Sequence, residues 1–155
     1  MRPYGLTALR LCLAAIFVAH GAQKLLGLFG GPGLNGTAAM LAHLKLPYPF
    51  PLAVVLAGTE FGGGLLLAGG WLTRWAAGAL VVDIGMALWK VHYAHGFFLN
   101  WTSTGSRGHG MEYALALAGG LICLMLSGAG ALSVDDWRSQ HYEARARGRA
   151  RIRKV

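Results

Sequence analysis

The chain has 155 residues, of which 55% are hydrophobic and 13% are charged, and its formal net charge is +8. An average soluble domain has about 25% charged residues, so this composition argues against a water-soluble globular protein. Six basic residues lie within residues 145–154. Beside an apolar body, such a basic tail favours contact with anionic lipid headgroups, and we expect no nucleic-acid partner.

Four long apolar stretches follow one another along the chain, and each has a length suited to a membrane-spanning helix. The stretches cover residues 6–29, 52–70, 76–93 and 111–132. Residues 37–46 are too few to span and are predicted to form a short interfacial helix. The predicted fold class is therefore all-α, a polytopic membrane four-helix bundle over residues 1–136, followed by a basic cytoplasmic tail over residues 137–155.

An even number of spans puts both chain ends on one side of the membrane. Arg2, Arg10, Arg74 and the basic tail then share that side, whereas the loops of the other side contain Lys45 and Arg107. Since positively charged residues concentrate on the cytoplasmic side of membrane proteins, both termini are predicted to be cytoplasmic.

Every predicted span carries polar residues, although a charged side chain near the bilayer centre costs about 2.5–3.5 kcal/mol. They are His20, Gln23 and Lys24 in the first span, Glu60 in the second, Asp83 and Lys90 in the third, and Glu112 at the start of the fourth. The i, i+3, i+4 spacing of the first three puts them on one helix face. Glu60 lies about two and a half turns into its span, at nearly the depth of His20.

The charged residues suggest two ion pairs. We predict Lys24 with Glu60 as the first pair, and Lys90 with Asp83 or Glu112 as the second. Such pairs can simply fasten helices, and side chains near helix ends can extend to water. The two carboxylates nearest the bilayer centre cannot do so easily. A ligand or proton site around the first pair is thus a hypothesis of equal weight.

The histidines near the membrane surface raise the question of a metal or haem. His92, His95 and His109 lie near the outer helix ends, and ligation by histidine and carboxylate is chemically possible. A haem held by two histidines needs them at similar depth, and His20 is deeper than the others. These histidines are therefore interpreted as loop and interface residues, and no metal is predicted.

Several short motifs have a distinctive order and spacing. They are FVAHGAQKL at 17–25, EFGGGLLLAG at 60–69, the pair Thr73 and Arg74, Glu112, and GAGALSVD at 128–135. Together these motifs resemble the DoxX family over about residues 6–136. The chain departs from the family at Ala129, where the family usually has a proline.

The resemblance implies a four-helix bacterial inner-membrane protein associated with redox biology. Some family members are described as the membrane subunit of a thiosulfate:quinone oxidoreductase, and others are linked to oxidative-stress complexes or to quinone-like compounds. The polar positions of the family fall on Lys24, Glu60 and Glu112, with His20 and Arg74 as companions.

The leading hypothesis is a membrane subunit or partner in a quinone-linked redox process, with a polar pocket open to the outer face. Glu60 and His20 would exchange protons with a quinone headgroup, while Lys24 would favour its anionic reduced form. The predicted ligand-binding set also includes Gln23, Asp83, Lys90 and Glu112. No intrinsic cofactor is predicted, so a bound quinone or the cofactor of a partner would carry the electrons.

Two other hypotheses stay open. One is a structural or assembly subunit without chemistry of its own, in which small-residue faces such as Gly58, Gly62 and Gly69 pack against other helices within a monomer, a homo-oligomer or a larger complex. The other is a small transporter or proton path, because buried ionisable residues also line transport routes.

Overall fold

The computed structural model describes residues 4–102, 105 and 108–152, with side chains as far as residue 145. Within these residues the chain forms six α-helices and no strand. They are α1 (Tyr4–Leu26), α2 (Gly33–His43), α3 (Pro49–Gly69), α4 (Thr73–Ala87), α5 (Glu112–Ser127) and α6 (Val134–Ile152). Arg2, Arg107 and the basic side chains beyond residue 145 lie outside the described part of the chain.

Short helical turns flank two of these helices. A 3₁₀ turn, Leu28–Gly30, follows α1. A π-helical turn, Leu88–His92, and a 3₁₀ turn, Tyr93–His95, continue α4. The predicted third span therefore changes its helical pitch near its end, a change that the sequence pattern did not indicate.

Glycine and proline set helix ends that differ from the predicted limits. α1 stops at Leu26, short of residue 29, because Gly27 adopts a left-handed φ of 70°. α5 likewise stops before Gly128, whose φ is 89°. α3 begins at Pro49, ahead of residue 52, because proline is favourable in a first helical turn, where its missing N–H is not needed.

Two helices, α1 and α3, are long and apolar enough to cross a membrane by length and composition. The apolar α5 is shorter, with 16 residues. The α-helical part of α4 has 15 residues, and the π-helical turn lengthens it. Two of the four predicted spans thus meet the length and composition requirement within the described residues.

One apolar core is shared by α1, α3, α4 and α5. Its largest fully buried members include Phe17 of α1, Leu67 of α3, Leu80 of α4, and Leu121 and Leu124 of α5. Burying a side chain of this size contributes about 1.5–3 kcal/mol. The shorter α2 packs against α3 outside this core.

Two glycines let α1 and α3 touch along their backbones. A Cβ atom added to Gly21 would lie 2.6 Å from Cα of Phe61, and one added to Gly64 would lie 2.7 Å from the backbone nitrogen of Val18. Any larger residue would push the helices apart. This close approach brings Lys24, one turn after Gly21, next to Glu60.

At one end of the bundle the guanidinium of Arg10 is 1% exposed and is surrounded by carbonyl oxygens. It donates hydrogen bonds to Leu67 (2.5 Å), Ala68 (2.7 Å), Ala129 (3.0 Å) and Leu132 (3.0 Å). The last carbonyls of a helix have no partner within the helix, so Arg10 satisfies acceptors at the end of α3 and in the turn after α5. We call Arg10 and these four carbonyls the arginine cluster.

Asp135 connects α6 to the same end. Its carboxylate accepts hydrogen bonds from the backbone N–H groups of Leu72 (3.0 Å) and Thr73 (2.9 Å), at the start of α4. The hydroxyl of Thr7 donates to the carbonyl of Ala131 at 2.6 Å. The beginnings of α1, α4 and α6 therefore lie together at one end of the bundle.

Candidate functional site

The predicted ion pair between Lys24 and Glu60 is present. Nζ of Lys24 lies 2.5 Å from Oε1 of Glu60, and the side chains are 24% and 5% exposed. The second carboxylate oxygen, Oε2 of Glu60, is buried and has no hydrogen-bond partner among the described residues. A buried polar atom left unpaired costs about 1–3 kcal/mol, and more when it is charged. Unpaired atoms of this kind are uncommon in proteins and call for an explanation.

Asp83 of α4 completes the group. Its carboxyl lies in hydrogen-bonding range of the Glu60 carboxyl and interacts electrostatically with Lys24. Because two ionised carboxylates are both acceptors, they form a hydrogen bond only when one of them carries a proton. We call Lys24, Glu60 and Asp83 the polar cluster. Three helices contribute one residue each, and two carboxylates share one ammonium. When all three groups are ionised, the cluster has an excess negative charge that no described ion pair neutralises.

A cavity of about 420 Å³ lies on one side of the polar cluster. His20, Lys24 and Glu60 form its polar edge, and α1, α4, α5 and the loop before α5 supply apolar and aromatic walls such as Phe17 and Tyr113. We call it the large cavity. Its size falls in the range of small-molecule sites, which combine mostly apolar walls with a few polar groups.

A second cavity of about 180 Å³ lies between α2, α3 and α4, and we call it the small cavity. Leucine and methionine side chains form nearly half of its wall, and Asp83 and Lys90 line it but do not line the large cavity. Lys24, Glu60 and His92 line both cavities. The ion pair thus stands between two compartments.

Glu112 holds the loop that covers the large cavity. Its Oε1 accepts a hydrogen bond from the Leu99 N–H at 2.9 Å, and its own N–H donates to the Phe97 carbonyl at 2.9 Å. Nδ1 of His92 also lies 2.9 Å from the carbonyl oxygen of His109, near the other end of the loop. Glu112 is not among the residues that line either cavity, so it acts on the site by positioning the loop.

Lys90 does not form the predicted second ion pair. Among the described residues it makes no contact of 4 Å or less with the carboxylates of Asp83 or Glu112, and Nζ lies 3.8 Å from the centre of the Trp89 ring. That prediction was wrong because residues seven apart share a face only in a regular α-helix. The π-helical turn that begins at Leu88 changes this spacing, and a cation–π contact replaces the pair.

The other predicted positions divide between the site and its surroundings. His20 is exposed and lines the large cavity. Gln23 lies outside both cavities and packs against Gly31, where an added Cβ would lie 2.6 Å from Cα of Gln23. Arg74 lies near Gly128, at the end of the bundle that holds the arginine cluster.

Sequence reasoning missed the structural role of Arg10, which it counted only as a topological charge. The available signal was a cation inside an apolar helix in a chain where α3 and α5 are each followed by a glycine, so that free carbonyls collect at their ends. It also missed the aromatic residues Trp101 and Tyr113, which line the large cavity. Within the described residues, no three His, Cys, Asp or Glu side chains are grouped closely enough to hold a metal ion.

The chain is similar in sequence to several known proteins. An uncharacterized protein of Haemophilus influenzae is 31% identical over 139 residues, which is 87% of this chain and 91% of that protein. The inner membrane proteins YphA and YqjF of Escherichia coli are each 28% identical, over 86% and 84% of this chain and 90% and 89% of their own lengths. No solved structure matches the chain. A sequence model of the DoxX family matches residues 5–93, and the chain therefore belongs to the DoxX family.

Proposed function

We propose that this protein crosses a bacterial inner membrane four times, with both termini in the cytoplasm. Two relatives are named inner membrane proteins. At 1.5 Å per residue, the 23 residues of α1 and the 21 residues of α3 extend about 34 and 31 Å. These lengths match a hydrocarbon layer about 30 Å thick.

Exposed aromatic residues support this placement. At the end that holds the arginine cluster they are Tyr4, Trp71, Trp75 and Trp137, and at the other end they are Phe29, Tyr48, Trp89, Tyr93, Phe98 and Trp101. Tryptophan and tyrosine concentrate at both membrane surfaces. Exposed aliphatic residues such as Val55, Val82 and Leu126 lie on the helices between these two groups.

The basic residues support the orientation. Arg74, Arg138 and Arg145 are exposed, and α4 and α6, which carry them, both start at the end of the arginine cluster. The positive-inside tendency puts this end in the cytoplasm. Trp137 and Tyr142 lie beside the basic side chains of α6, which suits contact with anionic lipid headgroups.

Within this membrane setting, we propose that the large cavity binds a quinone headgroup for a quinone-linked redox process. The observation that carries the proposal is the polar edge of the cavity, where buried Glu60, bound to Lys24, keeps one unpaired oxygen beside apolar and aromatic walls. Apolar walls suit the ring, and an ammonium favours an oxygen that becomes anionic on reduction.

The chemistry separates electrons from protons. Conversion of a quinone to a quinol takes two electrons and two protons. The electrons would come from the redox centre of a partner oxidoreductase, which makes this chain a membrane subunit or partner. The side chains that bind and release protons here are Glu60 and His20, which both line the large cavity.

Binding of a short-chain ubiquinone to the purified full-length protein in lipid nanodiscs tests this proposal. Quenching of tryptophan fluorescence gives Kd, and Trp101→Phe identifies the signal from the cavity wall. We expect Glu60→Gln and Lys24→Met each to raise Kd about tenfold or more, equivalent to about 1.4 kcal/mol. Asp136→Asn, at the opposite end of the bundle, is the control. Absence of saturable binding, or unchanged Kd in both cavity variants, would refute the proposal.

One observation favours the alternative of a structural or assembly subunit. Cβ atoms added to Gly58, Gly62 and Gly69 would meet no atom within 4 Å, so this face of α3 is free within the described chain to accept a partner helix or a second copy. Under the alternative, Gly62→Leu would disrupt co-purification of the partner or the homo-oligomer. Quinone binding would then be absent from the wild-type protein.

A further inference from the structure

The large cavity and the small cavity share part of their walls. Lys24, Glu60, Ala87 and His92 line both, and of these Glu60 has a buried oxygen without a partner. Asp83 lines the small cavity alone and contacts the Glu60 carboxyl. The adjacent carboxyl groups of Asp83 and Glu60 therefore lie in sequence from the small cavity to the large cavity.

Ionisable groups reach the region of Glu60 from several elements. They are Lys24 and His20 from α1, Asp83, Lys90 and His92 from α4 and its continuation, and His109 from the loop. The α2 and α5 walls of the cavities supply mainly apolar side chains such as Leu41 and Leu117. Among these groups, Asp83 is the one in hydrogen-bonding range of Glu60 that belongs to the small cavity alone.

The small cavity has room for water. A single water needs a cavity of about 10–15 Å³ and two to four polar partners, and the small cavity has a volume of about 180 Å³. Asp83 and Lys90 supply polar partners away from the large cavity. Ordered water at these groups would give protons a route to Asp83 that avoids the apolar ligand compartment.

We propose that the small cavity is a hydrated proton-entry compartment, and that Asp83 passes protons from it to Glu60. The inference rests on the proposed function, in which Glu60 serves a ligand in the large cavity. Asp83 gives its proton to the Glu60 carboxylate and regains one from water in the small cavity. Glu60 then gives the proton to an oxygen of the ligand. The relay moves protons alone, and the electrons come from the partner oxidoreductase.

The test follows protonation of Glu60 in the ligand-free full-length protein in nanodiscs. A light-triggered proton release lowers the pH, and time-resolved infrared spectroscopy follows the carboxyl C=O band that is missing from Glu60→Gln. We expect Asp83→Asn to slow this protonation about a hundredfold. Asp83→Glu should restore most of the rate, and Asp136→Asn should leave it unchanged.

A second variant tests the compartment without touching an ionisable group. Leu56 lines the small cavity and not the large one, so Leu56→Phe should displace water and slow Glu60 protonation while leaving the Kd for short-chain ubiquinone within about twofold. If Asp83 had only a structural role, Asp83→Asn would instead alter folding and the Kd for ubiquinone. Asp83→Glu would then fail to restore the rate of Glu60 protonation.

The relay through the small cavity requires slower Glu60 protonation in both Asp83→Asn and Leu56→Phe. A wild-type protonation rate in either variant, or a wild-type protein without a Glu60 carboxyl band, would overturn it. Because the protonation measurement uses no quinone, it is independent of the binding titration. A working relay without ubiquinone binding would refute the proposed substrate, and binding without a relay would refute this inference alone.

Discussion

The arginine cluster and the polar cluster treat buried charge in opposite ways. Arg10 donates four hydrogen bonds, all to backbone carbonyls at helix ends. Glu60 is almost as deeply buried, yet one of its oxygens has no partner and faces a region with two cavities. Arg10 is bound by the fold itself, whereas Glu60 has bonding capacity left over.

The difference separates architecture from chemistry. A buried charged group whose hydrogen bonds all go to backbone atoms holds the helices in place and leaves no site for a ligand. A buried charge with an unpaired atom beside a cavity is where functional groups concentrate. Substitutions in the arginine cluster should therefore change stability, and those in the polar cluster should change ligand and proton binding.

The largest effect is expected for Arg10→Met. It leaves four carbonyls without their charged donor, and since hydrogen bonds to charged groups contribute about 1.5–3 kcal/mol each, we expect the free energy of unfolding to fall by about 4 kcal/mol or more. Denaturation in mixed detergent micelles measures it. Arg138→Met, on the exposed surface of α6, is the matched control. A loss below about 1 kcal/mol would contradict the structural role of Arg10.

Next comes the ion pair of the polar cluster. Lys24→Met removes the partner of a buried carboxylate and should lower the free energy of unfolding by about 2–3 kcal/mol, less than for a fully buried pair because Lys24 is 24% exposed. The double variant Lys24→Met with Glu60→Gln should recover about 1 kcal/mol of this loss, because the deeply buried Glu60 no longer carries a charge and only the less buried carboxylate of Asp83 is left without Lys24.

The double variant separates stability from binding. Its Kd for short-chain ubiquinone should stay raised about tenfold or more although part of its stability is restored. Fluorescence titration and detergent denaturation of the same preparation give both values. A stable double variant with wild-type affinity would make the ion pair purely architectural.

A smaller effect is expected at the start of α4. Asp135→Ala removes the acceptor for the N–H groups of Leu72 and Thr73, and loss of a capping carboxylate costs about 1–2 kcal/mol. The neighbouring Asp136→Ala should cost about 0.5 kcal/mol or less, because its carboxylate binds only the exposed Gln140 side chain among the described contacts. Thermal unfolding compares the two, and equal losses would remove the special role of Asp135.

The smallest effect is expected for Glu112→Gln. The amide oxygen can still accept from the Leu99 N–H, and loss of the negative charge at the start of α5 costs about 0.3–1 kcal/mol. Ubiquinone Kd should change by less than about threefold. Hydrogen exchange of the Leu99 N–H measures directly the strength of its hydrogen bond to the residue 112 side chain. A tenfold rise in Kd would return Glu112 to the ligand-binding set.

The sequence itself determined five of the six described helices and the ion pair between Lys24 and Glu60, whereas α6 lies where only a basic tail was predicted. Long apolar stretches predict helices because the pattern of apolar residues is read from neighbouring positions in the sequence. The helical spacing that put His20 and Lys24 on one face, and the depth that put Glu60 beside them, predicted the ion pair. Glycine at positions 21 and 64 made that contact possible, since only bare backbone allows α1 and α3 so close.

Tertiary structure alone decided the roles of Arg10, Lys90 and Glu112. The carbonyls that bind Arg10 belong to residues that are separated from it by between 57 and 122 positions along the chain. No local sequence pattern can therefore predict these contacts. The π-helical turn breaks the repeat that would pair Lys90 with Asp83, and the fold of the loop directs Glu112 to backbone. The two cavities likewise exist only where five helices and their loops leave space unfilled, which depends on side chains distant in sequence.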